Sequence, residues 1–267
     1  MRYLAKIALD LWLLTQRPDG GGLPDGHQFQ HAVADALRRP GINSVQRAGL
    51  HTLWCATSAS GVGHEIDAAA RAKAQAYLVE AKATNGISKA DLAVFELKVT
   101  DYYFRCWRTV AEHAWYPLLV AAGSVSNASR RLAVHRAITL CDHARLPLPV
   151  LFHHASHPST RNQLPEDLCT EMTRLAPRAL ACLQERYMPC TQYNGVILRP
   201  SSYTPDEIDD LLYVQDELTD NILDRYDRLA PGRLEARAMR LQRRIRCSGF
   251  RSQDAIDLNQ RSLNGLP

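Results

Sequence analysis

Between Gly63 and Lys82 the chain sets charged side chains into otherwise apolar, strand-like sequence, and no other stretch narrows the available folds as much. Gly63-His64-Glu65-Ile66-Asp67 reads as one short strand and Ala76 to Lys82 as a second. Strand side chains alternate between faces, so Glu65 and Asp67 share a face of the first strand, as Glu80 and Lys82 share one of the second. If the two strands pair, three carboxylates and one ammonium converge. A charged face ending the apolar run Ala76-Tyr77-Leu78-Val79 is costly unless it is used. The set suits Mg2+, with Mn2+ as a substitute, because a hard cation takes a few carboxylates plus waters and phosphate oxygens. The matching chemistry is phosphodiester hydrolysis: the cation lowers the pKa of a bound water and neutralises charge on the phosphate, while Lys82 orients or helps deprotonate the water. Taken alone, Asp-x(12)-Glu-x-Lys is a weak pattern that also describes an ordinary solvated strand face.

At these residues the chain resembles the PD-(D/E)xK nuclease superfamily, the restriction-endonuclease-like fold. The resemblance implies an α/β protein with an α-β-β-β-α-β core, a central mixed sheet flanked by helices, and Asp67, Glu80 and Lys82 as metal-binding and catalytic positions. It further implies that Asp67, Glu80 and the backbone carbonyl of Ala81 hold Mg2+, and that the substrate is nucleic acid, most readily DNA. The order of elements agrees over roughly residues 20 to 145. A helix from about Gln28 to Arg39 is followed by a strand near Leu50 to Ala56, the two motif strands, a helix from about Lys89 to Arg108 and a strand near Tyr116 to Ala122. Two departures stand out. Several branches of the family carry Glu on the first helix in a Gly-x-x-Phe-Glu context, whereas this chain has Gly26-His27-Gln28-Phe29-Gln30. Gln30 supplies no negative charge, and Glu65 is the residue placed to compensate, at a second metal or as a proton acceptor. Some branches place Gln-x-x-x-Tyr on the later helix; here Lys98 and Tyr102 have that spacing, one helical turn apart, where they can reach a phosphate. Tyr102 also fits a plain core position.

A rival register exists at Asp91 to Lys98, which contains Glu96-Leu97-Lys98 after an apolar run. Leu92, Phe95, Val99, Tyr102 and Cys106 recur at spacings of three and four, and Ser88 with Asp91 makes an N-cap, so that segment reads as helix.

The remaining sequence sets bounds. A chain of 267 residues, 46% hydrophobic, can bury one substantial core with a smaller helical addition. A net charge of +4 allows nucleic acid without demanding it. Basic residues concentrate between Asp224 and Arg251, with nine arginines against three acids. Arg240, Arg243 and Arg244 in that stretch are placed to track phosphates, or to make ordinary ion pairs on a solvated helix. Seven cysteines without a Cys-x-x-Cys pair indicate a reduced, cytoplasmic protein whose thiols are small core residues. Met1 to Gln16 fits an amphipathic helix through Leu4, Ile7, Leu11 and Leu14, not a signal peptide or membrane span.

A Gly/Pro-rich linker, Arg17 to Gly26, follows that helix. Ser126 to Arg136 reads as helix, Ala137 to Cys141 as an edge strand and Leu146 to Phe152 as an extended segment. The Ser/Pro/His-rich stretch His153 to Pro165 reads as a boundary, dividing a nuclease-like unit (1–160) from a helical one (161–267). Helices are expected over Glu166 to Arg186, from Thr204 to about Leu229 behind a Thr204/Glu207 capping box, and over Arg233 to Arg246. His153, His154, His157 and Cys169 match no zinc spacing. Two functions compete: a metal-dependent nuclease, whose double-strand cutting would call for a homodimer, and a nucleic-acid-binding or assembly protein on the same fold whose catalysis has lapsed.

Overall fold

The computed structural model describes residues 1–16, 23–38, 44–46, 58–106, 114–190, 195–198 and 203–241. Apolar residues at helical spacing fold Arg2–Thr15 into α1, which buries Leu4, Ile7, Leu11 and Leu14. Helix α2 (Gly26–Ala36) starts at Asp25, whose carboxylate accepts the Gln28 N–H. Next come β1 (Ser44–Gln46), β2 (Ala68–Ala72), β3 (Gln75–Lys82), β4 (Gly86–Ile87), α3 (Lys89–Cys106), β5 (Ala114–Ala121), β6 (Ser124–Val125), α4 (Asn127–His135) and β7 (Thr139–Asp142). The rest comprises α5 (Leu148–Ser156), α6 (Pro158–Arg161), α7 (Glu166–Ala179), α8 (Leu183–Arg186), β8 (Tyr187–Cys190), β9 (Gly195–Leu198) and α9 (Pro205–Leu229), with residues 233–241 again helical.

Five strands form one mixed sheet in the order β1-β2-β3-β5-β7. β1, β2 and β3 run antiparallel to their neighbours, whereas β3, β5 and β7 are parallel. Alternate residues of β3 enter two hydrophobic clusters. Tyr77, Val79 and Ala81 pack with α1 and α2, while Ala76 and Leu78 pack with Leu92, Phe95 and Val99 of α3. The protein is therefore a mixed α/β fold whose central mixed sheet is flanked by helices. Both parallel crossovers begin with a short strand after the C-terminal end of a sheet strand: β3 leads through β4 into α3, and β5 through β6 into α4. β4 and β6 pair as a small parallel ladder of their own.

That crossing sets a steric demand at Gly123. A Cβ there would lie 1.8 Å from the Thr84 carbonyl oxygen, a backbone atom that cannot rotate away. Gly123→Ala is expected to destabilise the protein by about 3 kcal/mol or more, at the upper end of overpacking effects, read as a lowered urea midpoint.

Several elements lie where the sequence reading does not place them. The first motif strand is Ala68–Ala72, and residues 63–67 precede it as irregular chain. Alanine is a poor strand former by itself, so burial between α2 and the neighbouring strands decides this one. The strand expected near Leu50 to Ala56 lies outside the described residues, and the strand ahead of the motif is β1. The extended segment expected at Leu146 to Phe152 is α5, because Pro147 is its N-cap and Pro149 falls in the first turn, where a missing N–H breaks no helical bond. The Glu166 to Arg186 helix is two, α7 and α8, separated at Leu180 to Cys182. At α9 the capping box is present, with Glu207 and Thr204 bonding reciprocally. Residues on both sides of position 160, including Leu151 of α5, Met172 of α7 and Leu211 of α9, belong to the cluster that contains α1 and the sheet. Cys141, Cys169 and Cys182 are free and buried. Among the described residues no helix is long and apolar enough to cross a membrane.

Candidate functional site

Register and side-chain alternation bring the two motif carboxylates together. Asp67 lies one residue beyond the Ala68–Val79 partner pair, and its Oδ2 accepts the Ala81 N–H at 2.7 Å. Since Ala76 and Leu78 face α3, alternation along β3 turns Glu80 and Lys82 the same way, and Glu80 meets Lys98 of α3 there; Asp67, one residue ahead of β2, is placed by its bond to the Ala81 N–H. Both acids are buried, Asp67 at 6% and Glu80 at 3% exposure, so their charges have little water to share. Glu80 Oε1 takes two ammonium groups, Lys82 Nζ and Lys98 Nζ, each at 3.0 Å. Glu80 Oε2 is buried without a hydrogen-bond partner.

Burial drives the electrostatics. It pushes the Asp67 pKa up to about 6, and the neighbouring Glu80 charge adds to the rise; the Ala81 N–H, Lys82 and Lys98 oppose it. Lys82 moves the other way from a typical buried amine. Burial lowers its pKa, but the hydrogen bond it donates to Glu80 and the charges of Glu80, Asp67 and Asp91 outweigh that, so the net shift is upward. As the site stands, Lys82 is a cation held by the Glu80 carboxylate.

The donor set fits Mg2+. Among the described residues no group of three or more His, Cys, Asp or Glu side chains is arranged to hold a metal. A cation here would rest on two carboxylates, a backbone carbonyl, water and substrate oxygens, which is how Mg2+ is commonly bound and how Zn2+ is not.

The other expected site residues divide. Lys98 of α3 reaches Glu80, so it belongs to the site itself. Tyr102 is 2% exposed; its hydroxyl donates to the His64 carbonyl at 2.5 Å and accepts the His64 N–H at 3.1 Å, which removes it from contact with a phosphate. Glu65 is exposed, and with no strand at 63–67 it does not share a strand face with Asp67. Gln30 is half-buried on α2. Arg240 is exposed on the 233–241 helix, while Arg243 and Arg244 lie outside the described residues. In the same Arg-rich stretch, Arg237 bonds the buried Asp10 carboxylate at 2.5 Å, an ion pair that docks this helix on α1. The rival Glu96-Leu97-Lys98 is helical, and Glu96 pairs with Arg136 and Arg186.

One set of contacts beside the candidate site escaped the sequence reading. Asp101 accepts the Ser60 N–H at 2.8 Å and bonds His64 Nε2 at 2.7 Å; burial is the largest single effect on its carboxyl and raises the pKa, but the bonds from Ser60 and His64 together outweigh it and hold the group down at about 2. Its position three residues after Lys98 and beside Tyr102, on one face of α3, was the available signal.

No family model matches the sequence, and no curated protein matches it. A solved structure of a protein of unknown function aligns with 73% of this chain and 98% of its own, at 14% identity and a TM-score of 0.33. That likeness is too low to carry an argument about fold or activity.

Proposed function

We propose that the protein is a metal-dependent nuclease that hydrolyses phosphodiester bonds in DNA. The observation that carries the reading is the convergence of Asp67 and Glu80, both buried, with Glu80 holding two lysines on one oxygen and none on the other. Supporting it, once the two-residue β4 outside the main sheet is set aside, the chain order α2-β1-β2-β3-α3-β5 agrees with the order that the PD-(D/E)xK resemblance implies.

In this reading Asp67, Glu80 and the Ala81 carbonyl would hold Mg2+, which when bound would polarise water and withdraw charge from the phosphate. Lys82 and Lys98 both fix Glu80 by its Oε1, which leaves Oε2 without a hydrogen bond. Lys82, kept protonated by Glu80 and Asp67, donates to the attacking water or to a phosphate oxygen and offsets the charge that develops there. The Ala81 N–H fixes Asp67 by Oδ2 and leaves Oδ1 for the cation. Glu65 has no part in this arrangement.

The purified protein is expected to nick or linearise supercoiled DNA in Mg2+ or Mn2+ and to be inert in EDTA. A second reading, a nucleic-acid-binding protein with lapsed catalysis, is favoured by the engagement of both lysines with Glu80 and by Gln30 in place of an acid. Salt-dependent DNA binding with no divalent-stimulated cutting of supercoiled, linear or single-stranded DNA would select it and refute the nuclease.

A further inference from the structure

Helix α3 touches the site at two places that are independent in sequence. Through Lys98 it holds Glu80 of β3. One turn later, Asp101 and Tyr102 grip the segment that delivers Asp67. Asp101 Oδ1 takes the Ser60 N–H at 2.8 Å, and Oδ2 takes the Ser60 hydroxyl at 2.5 Å and His64 Nε2 at 2.7 Å. The Asp101 carbonyl accepts the Ala59 N–H at 3.1 Å, and the Tyr102 hydroxyl closes on both the N–H and the C=O of His64. Residues 58–67 form no strand, so these bonds to α3, together with Ile66 buried against it, stand where a sheet ladder would otherwise fix the chain. Asp67 begins three residues after the last of them.

We propose that Asp101 and Tyr102 are positioning residues: α3 acts as one rigid jig that sets both acids at once, Glu80 through Lys98 and Asp67 through the clamped 59–64 segment. Its purpose rests on the nuclease reading, because only a shared cation requires the two acids to be held in register. The physical case is geometric. A carboxylate at the end of an irregular segment is mobile by default, whereas Mg2+ demands near-ideal octahedral placement of its ligands. Holding the segment at both of His64's backbone groups and at its ring leaves two residues before Asp67, Glu65 and the buried Ile66, to carry any displacement. The clamp and the Lys98 contact lie on the same helix face, so a shift of α3 moves both acids together.

The test uses the Ala81 amide as a reporter, because its N–H donates directly to Asp67 Oδ2. In Tyr102→Phe and Asp101→Asn, native-state hydrogen exchange of the Ala81 amide is expected to rise at least about tenfold above that of amides in β5. In parallel, the Mg2+ concentration for half-maximal cleavage should rise several-fold, with a smaller change in the rate at saturating Mg2+. Glu96→Gln, on the same helix but bonded to Arg136 and Arg186, is the structural control; it should lower global stability and leave both readouts unchanged. Unaltered Ala81 exchange in Tyr102→Phe and Asp101→Asn, or an equal increase in Glu96→Gln, would overturn the proposal. The exchange readout needs no activity, so a protein that cuts nothing would refute the nuclease reading while the clamp was still decided.

Discussion

Asp67→Asn is expected to abolish divalent-dependent cleavage, by about a thousandfold or more, and to make the metal-free protein more stable. The two effects share one cause. Asp67 is an acid held where burial disfavours its charge, with a pKa raised from 3.8 to about 6. The folded protein therefore retains a proton on this group that the unfolded chain has lost between those two values. Stability falls as pH rises from about 4 to 6, and above 6 the folded state carries the whole penalty of an ionised, buried acid, on the order of 2–3 kcal/mol. Asparagine keeps an acceptor for the Ala81 N–H and has no charge to bury. In EDTA at pH 8 the variant should melt about 4–10 °C above the wild type. The difference should shrink toward zero below pH 4, where Asp67 is protonated in both states. Added Mg2+ should raise the melting temperature of the wild type and not that of the variant, because a bound cation stabilises only the protein that binds it. Wild type and variant melting together in EDTA at pH 8 would show that Asp67 is not an uncompensated buried charge.

Glu80→Gln is expected to be equally inactive and to change stability in the opposite direction. Glu80 has what Asp67 lacks, two ammonium partners at 3.0 Å, and its removal leaves Lys82 and Lys98 facing each other without the carboxylate that bonds both. Losing charge-assisted hydrogen bonds of this kind costs about 2–3 kcal/mol. The Lys82 pKa should fall, since the bond and charge of Glu80 are what hold it up against burial. The site also gains positive charge, so the variant should bind DNA more tightly than the wild type at low salt, by several-fold, with a steeper salt dependence. Fluorescence anisotropy on a labelled duplex across a salt series reads this. Weaker binding by Glu80→Gln would place DNA away from Lys82 and Lys98. The opposite signs at Asp67 and Glu80 are a sharper signature than inactivity, which any misfolded variant also shows.

Much of the architecture was legible because periodicity and capping are local. The N-terminal helix, α3 with Ser88 and Asp91 at its start, and α9 with its Thr204/Glu207 box follow from residue types a few positions apart. The pairing of Glu80 with Lys82 was legible for the same reason, since one strand period puts them on one face. What was not legible depended on tertiary burial. The strand Ala68–Ala72 has no propensity of its own to announce it, and the alternation of His64 to Asp67 imitated a strand that is instead an irregular, clamped segment. The prolines at 147 and 149 signal an extended chain as readily as a first helical turn, and only packing against α1 and α7 decides. The burial that raises the Asp67 pKa, and the hydroxyl of Tyr102 turned inward to His64, are likewise products of the assembled core.

Stoichiometric Mn2+ binding, followed by the loss of the free-ion EPR signal on titration, tests most directly whether Asp67 and Glu80 form a cation-holding pair. The wild type should take up Mn2+, with Mg2+ competing for it, and Asp67→Asn and Glu80→Gln should each lose that binding while remaining folded. Equal uptake by all three proteins, or none by the wild type at millimolar Mn2+, would contradict the account.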